Sequence, residues 1–259
     1  MRTIDLNFDG GEGCDDAPLM PFVTTVNVAC GGHAGDETTM RATVRLAKAN
    51  GLAVFAHPSY PDREGFGRTR KTLPAAEVDA LVRGQVGALV RIAGEEDVRI
   101  AGVKPHGGLY HAASSDDASA RALAAAARAV SPDLILVSSP GSRLIAAARA
   151  LGLRGAAEGF ADRGYEADGS LVARGTEGAL LTDPPVAAAQ ALSIVRDGAV
   201  TTRAGTRLPV AVETICLHGD TPGAAAIAKA VRRALEDAGF TLRSLAVIGG
   251  QHPLRVGLD

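Results

Sequence analysis

The chain has no tryptophan, only three tyrosines and only three cysteines in 259 residues. With so few aromatic rings on which bases can stack, a formal charge of −2 and no cluster of lysine or arginine, we expect no nucleic-acid partner. Cys14, Cys30 and Cys216 are odd in number and form no Cys-x-x-Cys pair, which argues against a disulfide framework and a structural zinc knuckle. Free thiols are the expectation. Nowhere do eighteen uncharged apolar residues run together, and Met-Arg-Thr leads straight into a strand without the apolar core of a signal peptide. These absences point to a soluble, cytoplasmic protein with no membrane partner. Two nucleotide signals are also missing. There is no Gly-x-x-x-x-Gly-Lys-Ser/Thr, and Gly11-Glu12-Gly13 lacks the third glycine and following helix of a dinucleotide fingerprint.

What is present begins at the amino terminus. In Ile4-Asp5-Leu6-Asn7-Phe8-Asp9, polar and apolar residues alternate, so an extended backbone points Asp5, Asn7 and Asp9 to one face and Leu6 and Phe8 to the other. Glu12 follows in a glycine-rich turn. Carboxylates are seldom buried without a partner, because desolvating one costs several kcal/mol or forces it to take up a proton. Three acids this close together suggest a site, whereas a solvated edge strand or a turn capped by Asp9 is the bland alternative.

The rest of the chain repeats one grammar of short apolar strand, polar or glycine-rich turn, and helix, which is the pattern of parallel βα units. Strands are expected over residues 25–29, 52–56, 98–103, 134–137, 155–157 and 212–217 in addition to the first. Helices are expected after Asp36 as N-cap, from Pro74, over 117–130, through Leu144 and Ile145, from Asp183-Pro184, and over 222–238. A hairpin is expected around Ala204-Gly205, and the long segment 58–68 reads as a mobile lid. Polar groups end six of the seven strands, which fits a ring of loops better than the single crevice of an open doubly wound sheet. We therefore expect an α/β fold: one (β/α) barrel of seven strands, forming a single domain over residues 1–259.

His33, His57, His106 and His218 all follow strand ends. One histidine there is more often a structural hydrogen-bonding residue than a catalyst, but four in the same register shift the balance. Lys104 directly follows a buried strand, a costly place for an ammonium unless it meets an anion; it either faces the pocket or forms a salt bridge to Asp5 or Asp9. Cys30 as a nucleophile with His33 or His57 as base finds no supporting pattern. Asp162-Arg163 is either a plain surface pair or an arginine that grips a carboxylate or phosphate at two points.

Several longer motifs carry a resemblance. Asp5-Leu6-Asn7, Gly11-Glu12, Asn27-Val28-Ala29-Cys30-Gly31, His33-Ala34-Gly35-Asp36, residues 56–67, Val103-Lys104-Pro105-His106-Gly107, residues 158–163 and His218-Gly219-Asp220 resemble the signatures of the LamB/YcsF family. They occur in the family's order between Ile4 and about Ala246. Its members are the A subunits of the prokaryotic ATP-dependent 5-oxoprolinase. The resemblance implies a barrel related to those of glycoside hydrolases and deacetylases, and conversion of 5-oxo-L-proline, ATP and water to L-glutamate, ADP and phosphate. It also implies two partners, the 5-oxoprolinase subunits B and C, and ATP with Mg²⁺ as co-substrate.

On that reading ATP activates the lactam oxygen as a phosphorylated imidate, which water attacks with phosphate departing. Asp5, Asp9 or Glu12 is then the base for water, and Lys104 and His106 stabilise growing charge, while Arg163 holds the substrate carboxylate. The candidate catalytic set is Asp5, Asn7, Asp9, Glu12, His33, Lys104 and His106. The candidate substrate-binding set is His57, Arg63, Glu158, Asp162, Arg163 and His218. Whether a metal is held is left open. A metal-dependent amide or carbohydrate deacetylase, with histidines and Asp5 or Asp9 around zinc, is the alternative enzyme, and a non-catalytic scaffold is a third reading.

Overall fold

The computed structural model of the chain describes residues 2–248. Of the expected single domain, residue 1 and residues 249–259 lie outside the described part. In chain order the strands are β1 (Arg2–Gly10), β2 (Thr25–Ala29), β3 (Ala53–His57), β4 (Ile100–Val103), β5 (Ile135–Ser138), β6 (Gly155–Phe160), β7 (Ala199–Thr201), β8 (Arg207–Pro209), β9 (Thr214–His218) and β10 (Phe240–Leu242). The first six lie side by side in order, β9 joins β6, and β9 pairs back to β1, so seven parallel strands close into a barrel. The expected seven-stranded (β/α) barrel is the fold observed.

The helices are α1 (Glu37–Ala49), α2 (Ala75–Glu95), α3 (Gly107–Ser115), α4 (Asp117–Val130), α5 (Arg143–Ala150), α6 (Pro184–Asp197), α7 (Ala224–Asp237) and α8 (Leu245–Ile248). Asp36 caps α1 by accepting from the Thr39 N–H at 2.8 Å, and Asp116 and Ser142 do the same for α4 and α5. Asp183 makes no such bond; α6 starts instead on prolines, whose fixed φ suits the first turn. Residues 199–209 form the expected hairpin, β7 against β8. Four elements were not expected: a 3₁₀ turn over Met20–Phe22, α3, which starts directly on His106-Gly107-Gly108, and β10 and α8. Among the described residues no helix is long and apolar enough to cross a membrane.

Alternation along the strands sorts the core into two parts. Outward residues such as Leu6, Phe8, Val26, Val54 and Val103 pack with the inner faces of the helices, for example Val78, Val82, Val86 and Leu89 of α2. Each fully buried side chain of this size contributes roughly 1.5–3 kcal/mol. Inside the barrel a small separate cluster of Phe55, Ile135, Val137 and Ala156 is joined by Leu245 of α8. Opposite it, β1 lines the interior with Asp5, Asn7 and Asp9, all 5% exposed or less. The interior is thus apolar near the start of β5 and β6, and polar along β1 and at the carboxyl ends, where His57 follows Phe55 and Glu158 follows Ala156.

Gly102 on β4 makes the apolar part possible. A Cβ there would lie 2.3 Å from the Phe55 ring and 2.4 Å from the Ile135 carbonyl oxygen, so the missing side chain is the space Phe55 occupies. Gly102→Ala is expected to destabilise the protein by about 1–3 kcal/mol, as overpacking of a filled core does. An unchanged midpoint in thermal unfolding followed by circular dichroism would show that Phe55 has room to move aside.

Candidate active site

The strand β1 carries its acids to different depths. Asp5, the deepest, is fully buried and accepts from three threonine hydroxyls: Thr25 at 2.6 Å, Thr24 at 2.7 Å and Thr214 at 2.5 Å. Burial raises its pKa against the pull of those donors. With its lone pairs occupied by threonines, Asp5 holds strands β1, β2 and β9 together below the other polar groups. Asn7 sits above it, donating to Thr214 at 2.7 Å and accepting from Asn27 at 2.8 Å.

Asp9 meets the only buried lysine among the described residues. Lys104 Nζ lies 2.9 Å from Asp9 Oδ1 and 3.1 Å from Glu158 Oε2, and it donates to Asn7 Oδ1 at 3.3 Å and Cys216 Sγ at 3.0 Å. Of its two expected partners, Asp9 is the one it reaches. Burial by itself would lower the Lys104 pKa, but Asp9, Cys216 and Glu158 hold it well above the ordinary range. Burial would likewise raise Asp9, yet His57 and Lys104 hold it well below.

Around Glu12 three imidazoles converge. Glu12 Oε1 lies 2.8 Å from His33 Nε2, 3.3 Å from His106 Nδ1 and 3.6 Å from His57 Nε2, while His57 Nε2 is also 3.3 Å from Asp9 Oδ2. His33 and His106 stack with centroids 3.8 Å apart. Burial, with Asp9 next in weight, pushes Glu12 up to about 7. Burial pushes His33 down to about 4, and it pushes His106 down strongly with His57 and His33 adding to it. The ligand-type atoms of Glu12, His33, His57 and His106 lie within 4.8 Å of one another, as do those of Asp9, Cys216 and His218.

Residues 58–68 cover this cluster. Ser59 exchanges two hydrogen bonds with Gln85, Gly67 N–H donates to Asp62 O at 2.7 Å, Gly108 N–H donates to Gly67 O at 2.8 Å, and Arg68 pairs with Asp220 at 2.9 Å. Phe66, at φ 52°, sets its ring edge-on against His33 and His106, and a Cβ on Gly67 would strike His33 at 2.8 Å. The segment expected to be mobile is thus pinned at several points within the single chain.

The remaining candidates divide. His218 Nδ1 lies 2.9 Å from Asp162 Oδ1, and Asp162 also accepts from the His218 N–H and the Thr221 hydroxyl; these bonds outweigh burial and lower its pKa. Arg163 does not reach the cluster: its guanidinium donates to the carbonyls of Ala179 at 3.0 Å and Val172 at 2.7 Å, tying down the irregular segment after β6. Arg63 likewise donates to the Gly35 and Gly31 carbonyls. Cys30 is buried, donates to the Val28 carbonyl at 3.0 Å and is pushed by burial to about 12, so it is an inert thiol.

Beside the Lys104 ion pair opens a cavity of about 770 Å³, whose lining includes Arg70, Lys71, Tyr110, Ser139, Glu158 and Phe160. The Tyr110 hydroxyl and both Glu158 carboxylate oxygens are buried and receive no hydrogen bond, although Lys104 neutralises Glu158. The two groups face each other, the Glu158 carboxylate adding to the burial that holds the Tyr110 hydroxyl well above its ordinary pKa range. Tyr110 and Asn27 stand in neither of the candidate sets read from the sequence. Asn27 was findable from the same alternation that exposed β1, since Thr25 and Asn27 share the inward parity of β2. Tyr110 was not, because it lies on the unexpected α3.

A model of the LamB/YcsF family matches residues 4–249. The chain belongs to this family. Curated relatives named as the A subunit of 5-oxoprolinase include one from Chloroflexus aggregans, 51% identical over 94% of this chain and 99% of its own, and one from Methylococcus capsulatus, 50% identical over 94% and 96%. The solved structure of the lactam utilization protein from Thermus thermophilus is 42% identical and covers 94% of this chain and 100% of its own, with a TM-score of 0.87.

The ion pair at the centre of this family member is testable through stability. In the wild-type protein the lowered Asp9 carboxyl contributes stability above the unfolded carboxyl pKa of about 3.9, and that contribution is lost as pH falls through the folded value. Lys104→Met removes the ammonium and leaves Asp9 and Glu158 facing each other in a buried space, which is expected to cost about 3–5 kcal/mol near pH 8. The carboxyls of the variant then gain from taking up protons, so its deficit in chemical unfolding should shrink as pH is lowered toward 5. A deficit independent of pH would mean that lost packing, not charge, is what the lysine supplies.

Proposed function

We propose that this chain is the A subunit of an ATP-dependent 5-oxoprolinase, working in the cytoplasm with subunits B and C to open 5-oxo-L-proline to L-glutamate while ATP becomes ADP and phosphate. The observation that carries this reading is the near-complete match, at about half identity, to relatives bearing that name. The cavity beside Lys104 supports a small, anionic, amide-containing substrate. Arg70 and Lys71 offer cations for its carboxylate, and Glu158 and Tyr110 on the cavity wall offer an acceptor and a donor for the ring N–H and carbonyl. The carboxylate role first read for Arg163 passes to these rim residues, because the Arg163 guanidinium is already engaged.

The chemistry needs one change from the sequence reading. The lactam oxygen attacks the γ-phosphorus and ADP departs, giving an O-phosphorylated imidate. Water adds to its carbon, but direct loss of phosphate at that point would only regenerate the lactam. The ring C–N bond therefore breaks first, the nitrogen taking up a proton, and a second water releases phosphate from the resulting γ-glutamyl phosphate. Glu12, whose pKa of about 7 suits proton transfer near neutrality, is the base this reading favours, and Lys104 supplies the fixed positive charge next to Asp9. ATP with Mg²⁺ is assigned to a partner, since this chain carries neither nucleotide fingerprint. The deacetylase alternative has the imidazole cluster in its favour, whereas the relatives at about half identity carry the 5-oxoprolinase name.

The purified chain, mixed with 5-oxoproline, ATP and Mg²⁺, is expected to release no glutamate, and addition of subunits B and C is expected to start release. The measurement is glutamate formed against time. Sustained ATP-dependent release by the single chain would overturn the division of labour, and no release by the complete mixture would overturn the assigned reaction.

A further inference from the structure

The outer nitrogens of the three clustered imidazoles are all committed. His57 Nδ1 lies 2.6 Å from the Lys104 carbonyl oxygen and His106 Nε2 lies 2.9 Å from that of Phe66; a carbonyl only accepts, so each of these nitrogens carries a proton. Ser59 gives its hydroxyl proton to the Tyr60 carbonyl at 3.0 Å and so accepts from His33 Nδ1 at 2.8 Å. A ring that carries a single proton, placed on its outer nitrogen by these bonds, presents a bare lone pair at the inner one, which is His33 Nε2, His57 Nε2 or His106 Nδ1. Two of them face each other, His57 Nε2 and His106 Nδ1 at 3.0 Å, and the Glu12 and Asp9 carboxylates add further acceptors at 2.8–3.6 Å. A group of acceptors packed around one point, without a donor, repels itself unless a cation sits among them.

We infer that Glu12, His33, His57 and His106 form a binding site for one divalent transition-metal cation, with zinc the species best matched to the donors. Four ligands at about 2.0–2.1 Å in a tetrahedron have their donor atoms about 3.3 Å apart. Four of the six separations, 2.8, 3.0, 3.3 and 3.6 Å, scatter around that edge, and one ring of the stacked His33–His106 pair has to turn for both lone pairs to aim at one ion. Three imidazoles with one carboxylate suit zinc and its first-row neighbours and disfavour magnesium and calcium, which take oxygen ligands. The outer hydrogen bonds to two backbone carbonyls and a serine are what orients ligating histidines elsewhere. Charge agrees: Asp9, Glu12, Glu158 and Asp162 gather here, and Lys104 is the one buried ammonium among them. The second donor group, Asp9, Cys216 and His218, is not chosen, because Lys104 Nζ already stands 2.9 Å from Asp9 and 3.0 Å from Cys216. A cation held by all four groups would leave no open position for water, and Glu12 would then be a ligand and not the free base that the lactam reading favours. The rival filling is protons, one between His57 and His106 and one on Glu12.

This inference goes beyond the lactam reading and does not depend on it, because its test contains no substrate. The full chain, freed of metal with a chelator, is titrated with zinc against a chromophoric competitor and separately with cobalt(II). The expected result is one zinc ion per chain and a cobalt complex with the intense visible bands of a tetrahedral site. His33→Ala and His57→Ala should weaken zinc binding by about 100-fold or more, and Ser59→Ala, which keeps every ligand, by about 10-fold. Circular dichroism checks that the variants are folded. If the alanine variants fail to fold, the cobalt spectrum of the wild-type chain decides by itself. No stoichiometric zinc would overturn the inference in favour of protons. So would a six-coordinate cobalt spectrum, a thiolate charge-transfer band placing the ion on Cys216, or zinc affinity unchanged in folded histidine variants.

Discussion

Lys104 is the residue through which the polar interior holds its shape. Taking an ammonium out of water costs several kcal/mol, and only close carboxylates with additional hydrogen bonds offset that cost. Here Asp9 and Glu158 supply the charge, and Asn7 and Cys216 supply the remaining acceptors. The same residue acts at its main chain, where its carbonyl accepts from His57 Nδ1 at 2.6 Å while its N–H donates to Ala56. One residue thus fixes a carboxylate with its side chain and an imidazole with its backbone, and Asp9 and His57 are held 3.3 Å apart as a result.

From that pair the site extends in two directions. One leads through Glu158 to a cavity of about 770 Å³ with Tyr110 and Glu158 on its wall. The other leads through His57 to Glu12, His33 and His106 under residues 58–68, a place closed by Phe66 and rich in lone pairs. Asp9 belongs to both. Its ion pair with Lys104 and its contact with His57 fix how the cavity and the imidazole cluster stand relative to each other.

Much of this was legible in the sequence. The period of two in β1 gave the inward set of Asp5, Asn7 and Asp9, and strand ends rich in histidine gave the ring of loops. What periodicity cannot give is depth. Asp5 and Asp9 share an inward face, yet only Asp9 reaches Lys104, because β1 and β4 are not neighbours and their relative height depends on the stagger of the whole barrel. Arg163 misled for a related reason: its carbonyl acceptors at Val172 and Ala179 lie in a segment without repeating pattern. The helix α3 was hidden by Gly107 and Gly108, which read as loop. The structure uses them because Gly107, at φ 52°, would place a Cβ 2.5 Å from the Gly67 carbonyl, and a Cβ on Gly108 would lie 2.6 Å from that of Thr69.

The seam between β1 and β9 joins residues more than two hundred positions apart, as in the bond from Thr214 to Asp5. A chain made from its amino terminus therefore exposes one edge of β1 until about four fifths of it has been synthesised, and contacts of such sequence separation form slowly. During that interval Asp5 lacks Thr214, Lys104 lacks Cys216, and Asp9 lacks the neighbouring His218. The polar interior is thus among the last parts of the molecule to assemble, and an unpaired β1 is the edge most in need of protection during biosynthesis.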